Sequence, residues 1–140
     1  MARIGELFIN GKDAYTTWGV MMDTESLSLL MTPSSNKDYI INRNRNQNGS
    51  RVIVDNPKVN ERVLNLTLQM VAKNEDEFFA KYLLFCKELE KGNLNIRTKY
   101  QPNVVYKTVY NSCTQFTQFV REMAKFTLKL TEPNPKDRNV

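Results

Sequence analysis

The sequence predicts a mainly β, α+β domain in which antiparallel strands are covered by one helix. Two observations predict it. Four stretches (64–70, 94–100, 104–110 and 126–130) alternate apolar and polar residues with a period of two. One stretch, directly after the first of these, switches to three- and four-residue steps. The 140 residues, 41% hydrophobic and 25% charged, suit a single domain with a core of its own.

Taken in order, Leu7-Phe8-Ile9 leads into Asn10-Gly11, a pair that readily takes the positive φ of a type I′ turn, so a hairpin or tight bend is expected. Ser26-Leu27-Ser28-Leu29-Leu30-Met31 alternates at its start and is read as a short strand, ended by the break Thr32-Pro33-Ser34-Ser35-Asn36. From Asn42 to Asn60 the composition changes. Asn42 to Ser50 has almost no apolar side chain, a short Val52-Ile53-Val54 follows, and Asp55-Asn56-Pro57 closes the segment. This 42–60 stretch is expected to be a long loop or projecting hairpin.

The clearest strand comes next, with Leu64, Leu66, Leu68 and Met70 alternating with Asn65, Thr67 and Gln69. Its polar positions imply one buried and one wet face. Asn74 then supplies an N-cap, with Glu75, Asp76 and Glu77 in the first turn. Phe79, Tyr82, Leu83, Cys86 and Leu89 form the predicted apolar stripe of a helix from about Glu75 to Lys91, with Gly92 as its stop. The remaining strands carry Leu94, Ile96, Thr98 and Tyr100, then Val104, Tyr106, Thr108 and Tyr110, then Phe126, Leu128 and Leu130. The segment 132–140 has no periodicity and is expected to fray.

Chemistry is sparse. Without a single histidine the chain cannot build a Ser-His-Asp or Cys-His triad, an HExxH site or an imidazole ligand set. Neither GxGxxG, GxxxxGK[ST] nor GxSxG occurs, and the glycines number five. Glu75, Asp76 and Glu77 are explained by helix capping, and Cys86 and Cys113 are expected to be buried structural thiols. No catalytic residue, cofactor or metal is therefore expected. No apolar run is long enough to span a membrane, no signal peptide is visible, and free cysteines suit folding in a cytosol.

The charge is +5 and the sequence pI about 9.2, modest for a nucleic-acid binder. Arg43, Arg45 and Arg51 could contact phosphates together with Arg97 and Lys99, which makes a small basic nucleic-acid-binding module the alternative function. The 42–60 segment has no aromatic side chain for base stacking. Docking on another copy of the chain suits it better, with Arg43, Arg45, Arg51, Val52, Ile53 and Val54 as interface residues.

The order of elements resembles the N-terminal domain of siphophage distal tail proteins and the wider tail-tube-like superfamily. The residues that carry the likeness are Phe8-Ile9-Asn10-Gly11, the polar arm, the long strand from Glu61 to Ala72, the helix from Asn74 to Gly92 and the closing Lys125 to Pro133. The resemblance implies an antiparallel β-sandwich or half-barrel with a flanking helix. It further implies a hexameric ring in a virion tail, assembled in host cytoplasm with other tail proteins, whose only nucleic acid is DNA passing through the channel. With the sequence stopping at Val140, it leaves no room for the second, galectin-like domain of longer members, so a ring or tube component is the expected role.

Overall fold

The computed structural model describes residues 4–35, 40–43, 50–53 and 60–139. Their elements run β1 (Leu7–Ile9), β2 (Lys12–Asp13), α1 (Ala14–Trp18), β3 (Val20–Met22), α2 (Thr24–Met31), β4 (Ile40–Arg43) and β5 (Ser50–Ile53). Then come β6 (Arg62–Val71), α3 (Glu75–Glu90), β7 (Asn93–Thr98), β8 (Tyr106–Val120) and β9 (Met123–Glu132). Seven strands make one antiparallel sheet in the order β2-β1-β7-β8-β9-β6-β3, while β4 and β5 form a sheet of their own.

Asn10 (φ 54°) and Gly11 (φ 79°) both take the left-handed conformation, the requirement of the predicted type I′ turn between β1 and β2. The alternation in β6 and β9 is realised in full, with register running from Arg62↔Glu132 to Val71↔Met123. Leu64, Leu66, Leu68, Met70, Phe126, Leu128 and Leu130 are buried on one face. Trp18 of α1, Leu30 of α2, and Phe78 and Phe85 of α3 complete that core; the Phe85 ring lies 5.6 Å from Trp18 and 5.5 Å from Phe126. On the opposite face Asn65, Lys125 and Lys129 are exposed, and the half-buried Thr67 and Thr127 hydroxyls meet at 3.1 Å. The fold is thus a β-rich α+β arrangement with helices on one side of the sheet. The sheet curls: Leu7 and Thr98, near one end of the strand order, share a cavity of about 40 Å³ with Val20, Met21 and Met22 at the other.

Several expectations need correction. Residues 26–31 lie within helix α2, because Asp23 caps it by accepting the Ser26 amide at 2.8 Å, and Ser26 and Leu30, four apart, are buried together. The stripe on α3 is rotated from the one read in the sequence. Phe78, Tyr82, Phe85 and Leu89 pack on the sheet, while Phe79 and Leu83 stay exposed. Both phases fit the apolar spacing equally well, and only the sheet beneath selects one. Strand β7 ends at Thr98, so Tyr100 sits in the following turn.

Strand β8 continues ten residues past Tyr110, to Val120, which period-two reading misses. Register shifts between Tyr110 and Ser112, Cys113 and Gln115, and Gln118 and Val120 each insert an extra residue. Tyr110, Cys113 and Phe116 pair with the buried Leu130, Leu128 and Phe126, so the core-side period there is three.

The end of β9 and the residues after it contact the rest of the chain. Glu132 is fully buried, the Val105 amide donates to the Arg138 carbonyl at 3.0 Å, and Lys107 pairs with Asp137 at 2.9 Å.

Candidate assembly surfaces

Of the six predicted interface residues, four fall on the β4–β5 hairpin. Its register sets Ile40 opposite Ile53, Ile41 opposite Val52, Asn42 opposite Arg51 and Arg43 opposite Ser50. The antiparallel pairing of the two strands begins at Ile40. Arg45 and Val54 lie outside the described residues.

A second surface, not anticipated from the sequence, is formed by α3 and the outer half of β8. Phe79 and Leu83 are 47% and 61% exposed, and Phe119 is 60% exposed. Between helix and strand lies a cleft of about 120 Å³ lined by Tyr82, Cys86, Tyr110, Cys113 and Phe116 among others. Phe116 packs edge-on against Tyr82 at 5.7 Å and stacks on Phe126 at 6.0 Å, yet remains 45% exposed. The hydrogen bond with the Cys86 thiol, together with burial, pushes the Tyr82 phenol up, and burial raises Tyr110. Cys86 is half-buried and Cys113 exposed, so neither is the fully buried thiol expected. Both line the same cleft, Cys113 from within a strand that the sequence reading ended three residues earlier.

Of the basic residues of the nucleic-acid alternative, Arg97 and Lys99 are engaged locally. Arg97 lies over the Phe8 ring at 4.2 Å and Lys99 over Tyr100 at 5.2 Å. Nearby Lys91 and Lys107 are paired with Glu88 and Asp137.

Two buried carboxylates, Glu88 and Glu132, organise the fold. Glu88 accepts from Asn10 Nδ2 at 2.8 Å and is flanked by Lys91 at 3.2 Å and Lys12 at 3.5 Å. Burial alone would raise its pKa, but the hydrogen bonds from Asn10 and Lys91 and the charges of Lys12 and Lys91 outweigh it and hold the carboxyl below its usual range. Glu132 accepts from Arg62 Nε at 2.7 Å and from Arg138 at 2.9 and 3.0 Å, the latter bidentate. Arg62 also donates to the Leu30 and Thr32 carbonyls at the end of α2, and both guanidiniums lie over the Tyr106 ring. Glu132 raises the pKa of Arg138 further. Nothing in the sequence marks these residues, since charged side chains are ordinarily solvated. Among the described residues no group of three or more Cys, Asp or Glu could hold a metal ion, and no helix is long and apolar enough to cross a membrane.

No known family model and no curated protein matches the sequence. Among solved structures the chain is similar to the crystal structure of the Dit protein of phage SPP1, described as a hub of the adsorption apparatus of phages that infect Gram-positive bacteria. The likeness covers 93% of this chain and 50% of that one, at a TM-score of 0.57 and 12% sequence identity. The fold is of the phage tail type. The chain spans about half the length of Dit. The likeness bears out the tail-type resemblance at the level of fold.

Proposed function

We propose that this chain is a structural component of a phage tail that associates with copies of itself, and with other tail proteins, in a hexameric ring of the distal-tail or tube type. The observation that carries this reading is the fold likeness to a phage hub protein over 93% of the chain. A head-to-tail ring needs two different surfaces on each subunit, and the hairpin and the α3–β8 face are two such surfaces. Arg43, Arg45, Arg51, Val52, Ile53 and Val54 are the arm residues that contact a neighbour in this proposal, the arginines steering and orienting the contact. The polar face carrying Asn65, Thr67, Lys125 and Lys129 suits the wet side of such a ring, with the helices outside. The site of action is then the virion tail.

Size-exclusion chromatography with light scattering over a range of concentrations tests the proposal, with negative-stain imaging of the heaviest fraction. Six-fold rings are the expected result. A chain that stays monomeric at every concentration, and also when mixed with the tail proteins encoded beside it, refutes the reading.

A further inference from the structure

The ladder along β8 changes halfway. From Tyr106 to Val109 the strand pairs with β7, and at Val109 β9 joins it on the other side. The Tyr110 amide still reaches the Gly92 carbonyl at 2.8 Å. From Asn111 to Val120 only β9 pairs with it, and among the described residues no strand occupies the second edge. Every one of these ten residues is exposed. A long bare edge is a template for another strand.

Helix α3 overhangs this gap. Its Tyr82 and Cys86 line the cleft, and helical spacing puts the exposed Phe79 and Leu83, four residues apart, one above the other just outside that lining. Phe79, Leu83, Phe116 and Phe119 are each roughly half exposed, which leaves on the order of 100 Å² apiece for side chains of this size. Together that is about half of the roughly 800 Å² one partner gives to a standard interface, before any backbone edge is counted. A strand added at β8 would continue the sheet under an apolar roof that is already in place.

We infer that the outer edge of β8 receives the β4–β5 hairpin of a second copy as an added strand, with its apolar residues under Phe79 and Leu83. The assignment of a second copy rests on the ring reading. Two features select the hairpin. Among the described residues it pairs only with itself, and a lone two-stranded ribbon is marginal in water, so both of its edges and its apolar pairs Ile40↔Ile53 and Ile41↔Val52 gain from a third strand. Its residues 40–54 also carry three arginines and no acid, whereas the first turn of α3 carries Glu75, Asp76 and Glu77, with Arg121 3.8 Å from Glu75 and Lys81 paired with Glu77. Opposite charge at the rim sets direction and partner.

The test uses the full chain and its native Cys113 thiol. Maleimide labelling of Cys113 should slow by about tenfold or more in the oligomer relative to dilute monomer. The double variant Phe79→Ser, Leu83→Glu should weaken self-association at least tenfold while keeping the far-UV spectrum and two-state melting of the parent. Oligomers that form like the parent with Cys113 equally reactive would overturn the docking and leave the ring reading intact; a parent that never self-associates ends both. Should the double variant misfold, Val52→Cys in a Cys86→Ser background decides. A disulfide between the thiol introduced at position 52 of one copy and Cys113 of another supports the inference when a copper–phenanthroline catalyst oxidises both thiols, with molecular oxygen as electron acceptor. A link within one chain, or none in the oligomer, overturns it.

Discussion

Glu88 shows how much a single buried side chain organises here. Its carboxylate collects Asn10 from the β1–β2 turn, Lys12 from β2 and Lys91 from the end of α3, joining the start of the chain to a helix 78 residues on. Because its pKa is lowered in the fold, the stabilisation is present above the unfolded value and lost as pH falls through the folded one. Thermal melts should therefore show a loss of stability between about pH 5 and pH 3 that is smaller in Glu88→Gln. At neutral pH the same variant should cost roughly 1–3 kcal/mol, read by chemical denaturation, because a charged, buried acceptor is weakened but not emptied. Glu132 is a harsher case. Removing it by Glu132→Ala leaves Arg62, 7% exposed, without its counter-charge, and should cost about 3–5 kcal/mol in the same assay. Arg138→Ala should cost less, since its side chain is a quarter exposed.

Among the elements, α2 is the one whose identity was least visible. Its residues Ser26 to Met31 contain alternating serine and leucine, and β-like alternation over so few positions also fits a helix whose Asp23 cap lies just upstream. The decisive contact is tertiary. β3 pairs with β6 only along Leu68 to Met70, and the Ser26 hydroxyl takes over the next position, donating to the Thr67 carbonyl at 2.7 Å and accepting the Thr67 amide at 2.9 Å. A helix side chain thereby closes a strand edge that would otherwise be bare. Ser26→Ala should destabilise by about 1–3 kcal/mol through two orphaned backbone groups, and hydrogen exchange at the Thr67 amide should accelerate out of proportion to its neighbours. Uniform acceleration along β6 would mean that the contact is incidental. Gly19, between α1 and β3, is a second such junction: it sits at φ +68°, and a Cβ there would run into the Val71 carbonyl, so Gly19→Ala should lower the melting temperature measurably.

For the whole molecule, the sheet, its helices and the hairpin are separable in what they do. Among the described residues the core is built from the seven-stranded sheet and the three helices. Replacing residues 44–49 by a short turn should therefore leave the melting temperature within a few degrees of the parent. Deleting Arg43 to Asp55 should leave the fold but abolish concentration-dependent mass in light scattering. Assembly by the deleted chain would show that the segment is only a surface loop, and a chain that no longer folds would place Val52-Ile53-Val54 in the subunit's own core.

The sequence by itself determined the β-rich class, the type I′ turn at Asn10-Gly11, the ladders of β6 and β9, and α3 with its Asn74 cap. Each is a local matter: a period of two or near 3.6, a residue able to take positive φ, a side chain that reaches its own helix's amides. Tertiary structure alone decided which flank of α3 faces inward, since Phe78 and Phe79 offer the same apolar spacing until a sheet lies beneath one of them. It also decided the outer half of β8, where three bulges erase the period that announces a strand, and the fates of Glu88 and Glu132, whose partners come from distant segments. The surfaces proposed for assembly belong to this second group. An apolar residue is exposed or buried only by virtue of what the rest of the chain brings against it, and among the described residues Phe79, Leu83 and Phe119 are left about half exposed.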